Sequence, residues 1–196
     1  MDKQLFNIMR AVVENEHKAE AKLLEVLDEQ QYLSALEMLV QSPMTVTCAC
    51  GSSGFAAQKF AHALCCVEKP AKFVPPGEAV HGGMGALKRD AVLLVISRGG
   101  KSDELIPIVE IAKKKNAKVI VITAVPSAPL GQAADAVLLL PDVPESDKYG
   151  VMSTSSFITT MSVLNALMVG IMEATDYQLE DFALIHPGGA VGKRIT

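Results

Sequence analysis

Five short apolar runs punctuate the chain after residue 43: MTVTCACG (44–51), AKFVP (71–75), DAVLLVIS (90–97), AKVIVIT (117–123) and DAVLLLP (135–141). Most are rich in Val, Ile, Leu or Thr, and all but AKVIVIT end at a Gly, Ser or Pro, the signature of a short strand. Helical stretches alternate with them. SSGFAAQKFAHALCCVE (52–68) predicts an alanine-rich helix capped by serine. SDELIPIVEIAKKKN (102–116) predicts a helix with Ser102 as cap, acids in its first turn and lysines in its last, although Pro107 falls in its early part. Residues 153–175 form a serine-capped, largely buried helix, and 177–185 a last short one. Residues 77–88 are a glycine-punctuated loop with one helical turn, and 126–134 a loop with a short helix. Ahead of Pro43 there is no glycine or proline, and Leu23, Leu24, Val26, Leu27, Tyr32, Leu33, Leu36, Met38 and Leu39 recur at helical spacing. Residues 3–41 are therefore one or two long helices.

Strands that are apolar on both faces and alternate with helices require a parallel sheet covered on both sides. The expected architecture is a three-layer α/β/α sandwich with a five-stranded parallel sheet, doubly wound in the flavodoxin/Rossmann manner and preceded by N-terminal helices. One domain is expected over 1–196, with helices at 1–41 and the α/β core and C-terminal segment at 44–196. In such sheets ligands sit beyond the carboxyl ends of the strands. That rule selects the loops at 50–54, 75–85, 97–104 and 123–129, joined by 141–153.

Composition narrows the function. The net charge of −4 with no basic stripe argues against nucleic acid. The N-terminus lacks the form of a signal peptide, and the longest apolar stretch, 157–172, carries Thr, Ser and Asn and reads as a core helix rather than a membrane span. Cys48, Cys50, Cys65 and Cys66 lack paired CxxC spacing. They are expected as reduced, buried thiols of a cytoplasmic protein rather than metal ligands.

Two strand-end loops run directly into helices: GSSG (51–54) and SRGGKS (97–102). Helix N-terminal N–H groups, serine hydroxyls and close-approach glycines together favour a phosphate. Lys101 adds a point charge. The titratable residues at the same edge are Glu78, His81, Glu104, Asp142 and Glu145, with His186 arriving in the C-terminal HPGG. Proton transfer between adjacent sugar carbons uses a base and an acid near neutral pKa, for which His and Glu are the usual pair. The sequence has no HExxH, no GxSxG and no GxGxxG after the first strand, so neither metal, serine-hydrolase chemistry nor a nicotinamide cofactor is expected.

GSSGFAAQKFA, FVPPGEAVHGGMG, VISRGGKSDEL, STSSFITT and LIHPGGAVGKR follow one another in an order that resembles the sugar isomerase (SIS) domain family, and within it the isomerase domain of the arabinose-5-phosphate isomerases. The resemblance implies an aldose–ketose sugar-phosphate isomerase that works through an enediol without an obligatory metal or cofactor. It implies a phosphate held by Ser53, Ser97 and Ser102, with Ser52, Gly99 and Lys101 in the same loops and Ser153, Ser155 and Ser156 near the ligand. It implies His81, Glu104, Glu145 and His186 as the acid–base set, and of the two carboxylates Glu145 is expected slightly ahead of Glu104 as the carbon base. It also implies a homotetramer with sites formed between subunits.

Three positions depart from the pattern. Ser52 stands where these enzymes carry a lysine, Gly99 where they carry a serine, and Gly83 where they carry an acid. Arg98 or Lys101 is the expected compensation for the lost cation. The paired CBS domains of many relatives are not expected here. A non-catalytic phosphosugar sensor and an isomerase of another sugar phosphate, such as hexulose 6-phosphate, are the alternative readings.

Overall fold

The computed structural model describes residues 3–195. Its five strands are β1 (Thr45–Ala49), β2 (Ala71–Phe73), β3 (Val92–Ile96), β4 (Lys118–Thr123) and β5 (Ala136–Leu139), paired in the order β2-β1-β3-β4-β5. Every pairing is parallel. This is the doubly wound order in which the chain reverses its direction of winding between β1 and β3.

Alternation along the strands builds two cores. Val92, Leu94 and Ile96 face one layer, with Ile120, Ile122 and Leu138. Leu93 and Val95 face the other, with Val46, Cys48, Val119 and Val121. The first layer comprises α1 (Lys3–Glu25), α2 (Glu29–Gln41), α3 (Gly51–Cys66) and α7 (Ser155–Ala174). The second holds α4 (Pro76–Ala79), a 3-10 turn (Gly83–Ala86), α5 (Ile106–Lys114) and α6 (Pro129–Ala133). Two short helices, α8 (Leu179–Ile185) and α9 (Gly189–Ile195), close the described chain. By length and composition α7 is apolar enough to cross a membrane, but here Val163, Leu164, Leu167 and Ile171 lie in the first core.

Several element boundaries differ from expectation for local reasons. The N-terminal helices break at Asp28, whose carboxylate accepts the Gln31 N–H at 3.0 Å and starts α2. α5 starts at Ile106, not after Ser102. Pro107 explains this: it lacks an N–H and is tolerated only in a first turn, so the helix cannot begin four residues earlier. Asp103 and Glu104 accordingly lie in a turn ahead of the helix. Ser52 and Ser53 are inside the first turn of α3, whose cap residue is Cys50, so neither serine caps it. Cys65 is exposed and Cys66 half-buried, both in the last turn of α3. Cys48 alone is fully buried, and burial, with Cys50 nearby, pushes its thiol up to about 12.

Gly100 is the glycine on which the second loop turns. Its φ is +64°, and a Cβ there would meet Ala128 Cβ at 2.8 Å and Thr123 Oγ1 and Val125 O at 3.0 Å. Gly100→Ala should therefore destabilise the fold by about 2–3 kcal/mol, from combined strain and overpacking. Gly150→Ala is the control: its φ is +66° but its Cβ would enter open space, so it should cost about 1 kcal/mol. Denaturant unfolding of the two variants checks the difference. Equal losses would show that packing around Gly100 is not as tight as described.

Candidate active site

The parallel register sets the site. Ala49 pairs with Ile96 at the carboxyl ends of β1 and β3, so the chains leaving those residues emerge side by side. One enters α3 directly. Its cap residue Cys50 makes no side-chain cap hydrogen bond, and Gly51 has φ +54°. The Gly54 N–H is the first to find an intrahelical carbonyl, that of Cys50 at 3.1 Å. The N–H groups of residues 51–53 precede the helical ladder and point off the end of a 16-residue helix, which is a ready anion site. Ser52 is exposed there and Ser53 half-buried.

The chain leaving β3 forms a braced loop. The Ser97 N–H donates to Ile122 O at 3.0 Å and the Gly100 N–H to Ser97 O at 3.0 Å. Arg98 O accepts from Thr123 Oγ1 at 3.0 Å and from the Ala124 N–H at 2.9 Å. Across the loop the Ser97 and Ser102 hydroxyls lie 3.0 Å apart, so the two predicted phosphate grips form one pair. Gly99, Lys101 and Glu104 are exposed. Burial and the Glu104 carboxylate together raise the Cys50 thiol pKa, which places Glu104 within electrostatic reach of the α3 N-terminus. His81 is exposed just after α4, beyond the end of β2 on the other side of β1. Its N–H is tied to Glu78 O at 3.2 Å.

Glu145 occupies a different position from the others. It is buried, with one carboxylate oxygen 3.2 Å from Arg98 Nη1. The other accepts from the Thr154 N–H (2.8 Å), Thr154 Oγ1 (3.0 Å) and the Ser156 N–H (3.2 Å). The carboxylate thus caps α7 from outside the helix, a role the sequence assigned to serine. Burial raises the pKa of Glu145, but the donors from Ser156 and Thr154 outweigh it and hold the group below its ordinary value. Arg98 also donates to Val143 O. Ser155 is buried against Ser146, its Oγ 3.2 Å from the Ser146 Oγ, whereas Ser153 is exposed and 3.1 Å from the Ser156 hydroxyl.

His186 is not brought to this edge of its own chain. It ends α8, stacks on Phe182 with ring centroids 4.8 Å apart, and lines a cleft of about 500 Å³ with His62, Cys66, Lys69 and Pro70. Pro70 precedes β2 and accepts from the Thr45 N–H, so this cleft lies at the amino ends of the strands. Even its nearest α3 residue, His62, is about 16 Å of helix from Gly51. The carbonyl of His186 is packed against Gly192 of α9, a helix that sequence patterning missed because two glycines interrupt it.

This arrangement can hold an anion between two loops and present a carboxylate and an imidazole beside it. The SIS domain model matches residues 38–170, and the chain belongs to that family. Among curated proteins it is similar to the arabinose 5-phosphate isomerase KdsD of Escherichia coli O6:H1 (strain CFT073), at 31% identity over 186 residues, covering 95% of this chain and 57% of that protein. The chain thus spans little more than half the length of that relative. Among solved structures it superposes on a chain named as a candidate sugar-phosphate isomerase from Listeria monocytogenes str. 4b F2365, with TM-score 0.91, 32% identity, and coverage of 96% of this chain and 100% of that one. A chain of E. coli CFT073 solved in complex with arabinose 5-phosphate superposes with TM-score 0.88 and 25% identity, covering 95% of this chain and 100% of that one.

Glu145 gives a prediction on pH. Its folded pKa lies below the ordinary value of 4.5, so its contribution to stability is complete above that pH and is lost as acid carries the pH down through the folded value. Glu145→Gln should cost about 1–3 kcal/mol at neutral pH and flatten the loss of stability below pH 4.5. Denaturant melts from pH 7 downward, with and without the substitution, measure both effects.

Proposed function

We propose that the protein is an aldose–ketose isomerase acting on a sugar phosphate, of the arabinose 5-phosphate/ribulose 5-phosphate type. The observation that carries this reading is the pairing of an uncapped helix N-terminus with a hydroxyl-lined loop, beside an exposed carboxylate and an exposed imidazole. The phosphate docks on the N–H groups of residues 51–53 and on the Ser53, Ser97 and Ser102 hydroxyls. Arg98 is committed to Glu145 and Val143. Lys101 makes no ion pair among the described residues, so it is the cation that answers the missing lysine at Ser52.

Glu104, rather than the capping Glu145, then moves the carbon proton. The base takes the proton from C2 of the open aldose while the C1 oxygen gains one, giving an enediol. The proton returns to C1 as the C2 hydroxyl gives up its own and becomes the ketone. Histidines serve the oxygens. His81 is on the same chain as the phosphate loops, and His186 reaches the site of a neighbouring copy. Exposed apolar groups support such an assembly. Phe55 and Met152 ring the loop edge, Leu184 flanks His186, and Leu5, Phe6, Ile8, Met9 and Val13 stripe the outer half of α1. Glu145 in this reading is a positioning residue that fixes Arg98 and α7.

The test is an isomerisation assay over a panel of pentose and hexose phosphates. Turnover of arabinose 5-phosphate is expected, with Lys101→Ala raising KM about tenfold, equivalent to about 1.4 kcal/mol. Glu104→Gln and His186→Ala should each lower kcat by about a hundredfold or more. Because the two groups come from different subunits, mixing the inactive variants and allowing exchange should restore part of the activity. Ligand-induced thermal stabilisation without turnover of any sugar phosphate would instead favour the sensor reading, to which the serine at position 52 lends its weight.

A further inference from the structure

The cleft at the amino ends of the strands contains a group of side chains that the proposed isomerisation does not use. His62 and Cys66 are one turn apart on α3, at i and i+4, and so share a face. The Cys66 sulfur and His62 Nε2 lie 3.5 Å apart. Tetrahedral bonds of about 2.3 Å to sulfur and about 2.0 Å to nitrogen put the two ligand atoms of a zinc-like ion about 3.5 Å apart. The pair therefore already has the separation that such an ion imposes. Cys65, at i+3 from His62, is exposed. Its sulfur lies 3.5 Å from Ala71 O, a long contact. Both cysteines and His62 line the cleft, so the proposal requires the Cys65 sulfur to turn toward the other two. Among the described residues no three such groups yet converge on one point, so the set is two anchors and one recruit.

We propose that His62, Cys65 and Cys66 form a binding site for a borderline-soft divalent metal ion such as Zn²⁺, at the opposite end of the sheet from the same chain's phosphate loops. Two thiolates and an imidazole suit that ion class, and the open cleft leaves the fourth position to water or to another donor at its rim. Each thiol gives up its proton to solvent on binding. The competing explanation of the 3.5 Å approach is a thiol–imidazole hydrogen bond and nothing more.

Cobalt(II) separates the two. The full chain, kept reduced with a phosphine rather than a thiol, is titrated with Co²⁺ and then with Zn²⁺. One equivalent should develop the thiolate-to-cobalt charge-transfer absorption and the visible bands of a four-coordinate ion, and Zn²⁺ should abolish both. Cys66→Ser should remove the signal or weaken binding at least about tenfold, as should His62→Ala. Cys65→Ser should roughly halve the charge-transfer intensity by leaving one thiolate. Cys48→Ser should leave the cobalt spectrum unchanged, and circular dichroism confirms that each variant is folded. Absence of the charge-transfer band in the unmodified chain overturns the proposal, as does a band unaffected by Cys66→Ser and His62→Ala. Neither outcome bears on the isomerase assay.

Discussion

The buried carboxylate of Glu145 is the interaction on which the site's geometry depends. A carboxylate out of water is tolerated only when its lone pairs are filled. Here the donors come from two directions: Arg98 in the loop after β3, and Thr154 and Ser156 at the start of α7. One side chain therefore locks the loop after β3 to the helix beside it. The α7 dipole favours the negative charge, and the charge in turn fixes where α7 begins.

That lock has chemical consequences. It takes Arg98 and Glu145 out of circulation, since each is occupied by the other and by backbone. Lys101 makes no ion pair among the described residues, and on the reading proposed here it is the cation and Glu104 the base. The anion field comes mainly from backbone: the α3 N-terminus has no side-chain cap, so its first N–H groups await an external acceptor. A serine in place of a lysine at position 52 removes one charge from this field but leaves the helix end intact. The Ser97–Ser102 hydroxyl pair, held by the Gly100 turn, supplies the matching donors from the other loop.

Much of this was legible in the sequence, for definite reasons. The strands declared themselves because both faces are buried, so Val92–Ile96 is apolar without interruption. The helix starts were less legible. A serine before a helix looks like a cap, yet Ser102 is displaced by Pro107, and the cap of α7 comes from a residue nine positions upstream of Thr154. No local pattern encodes a cap supplied from another segment. The capping role of Glu145 was equally hidden, because its burial depends on how 141–153 folds over the sheet edge. His186 shows the same limit at longer range: motif order places it in the set, but only the path of α7 and α8 reveals which edge it reaches.

That path constrains how an active site can be completed. α7 starts at the carboxyl ends of the strands and runs down the sheet, so α8 and His186 must emerge at the amino ends, beside Cys66, to whose carbonyl Tyr177 donates at 3.1 Å. No side-chain rotation spans the length of α3, so His186 and the loops after β1 and β3 cannot meet within one chain. On the reading proposed here, a neighbouring copy that lays α8 across the loop edge supplies the missing imidazole. If the two copies are related by a two-fold axis, the exchange is mutual and both sites are completed at once. The exposed Leu184 and Phe55 would be covered in the same step. Assembly and catalysis then rest on one contact, so a variant that loosens the interface lowers kcat even where the phosphate loops are untouched.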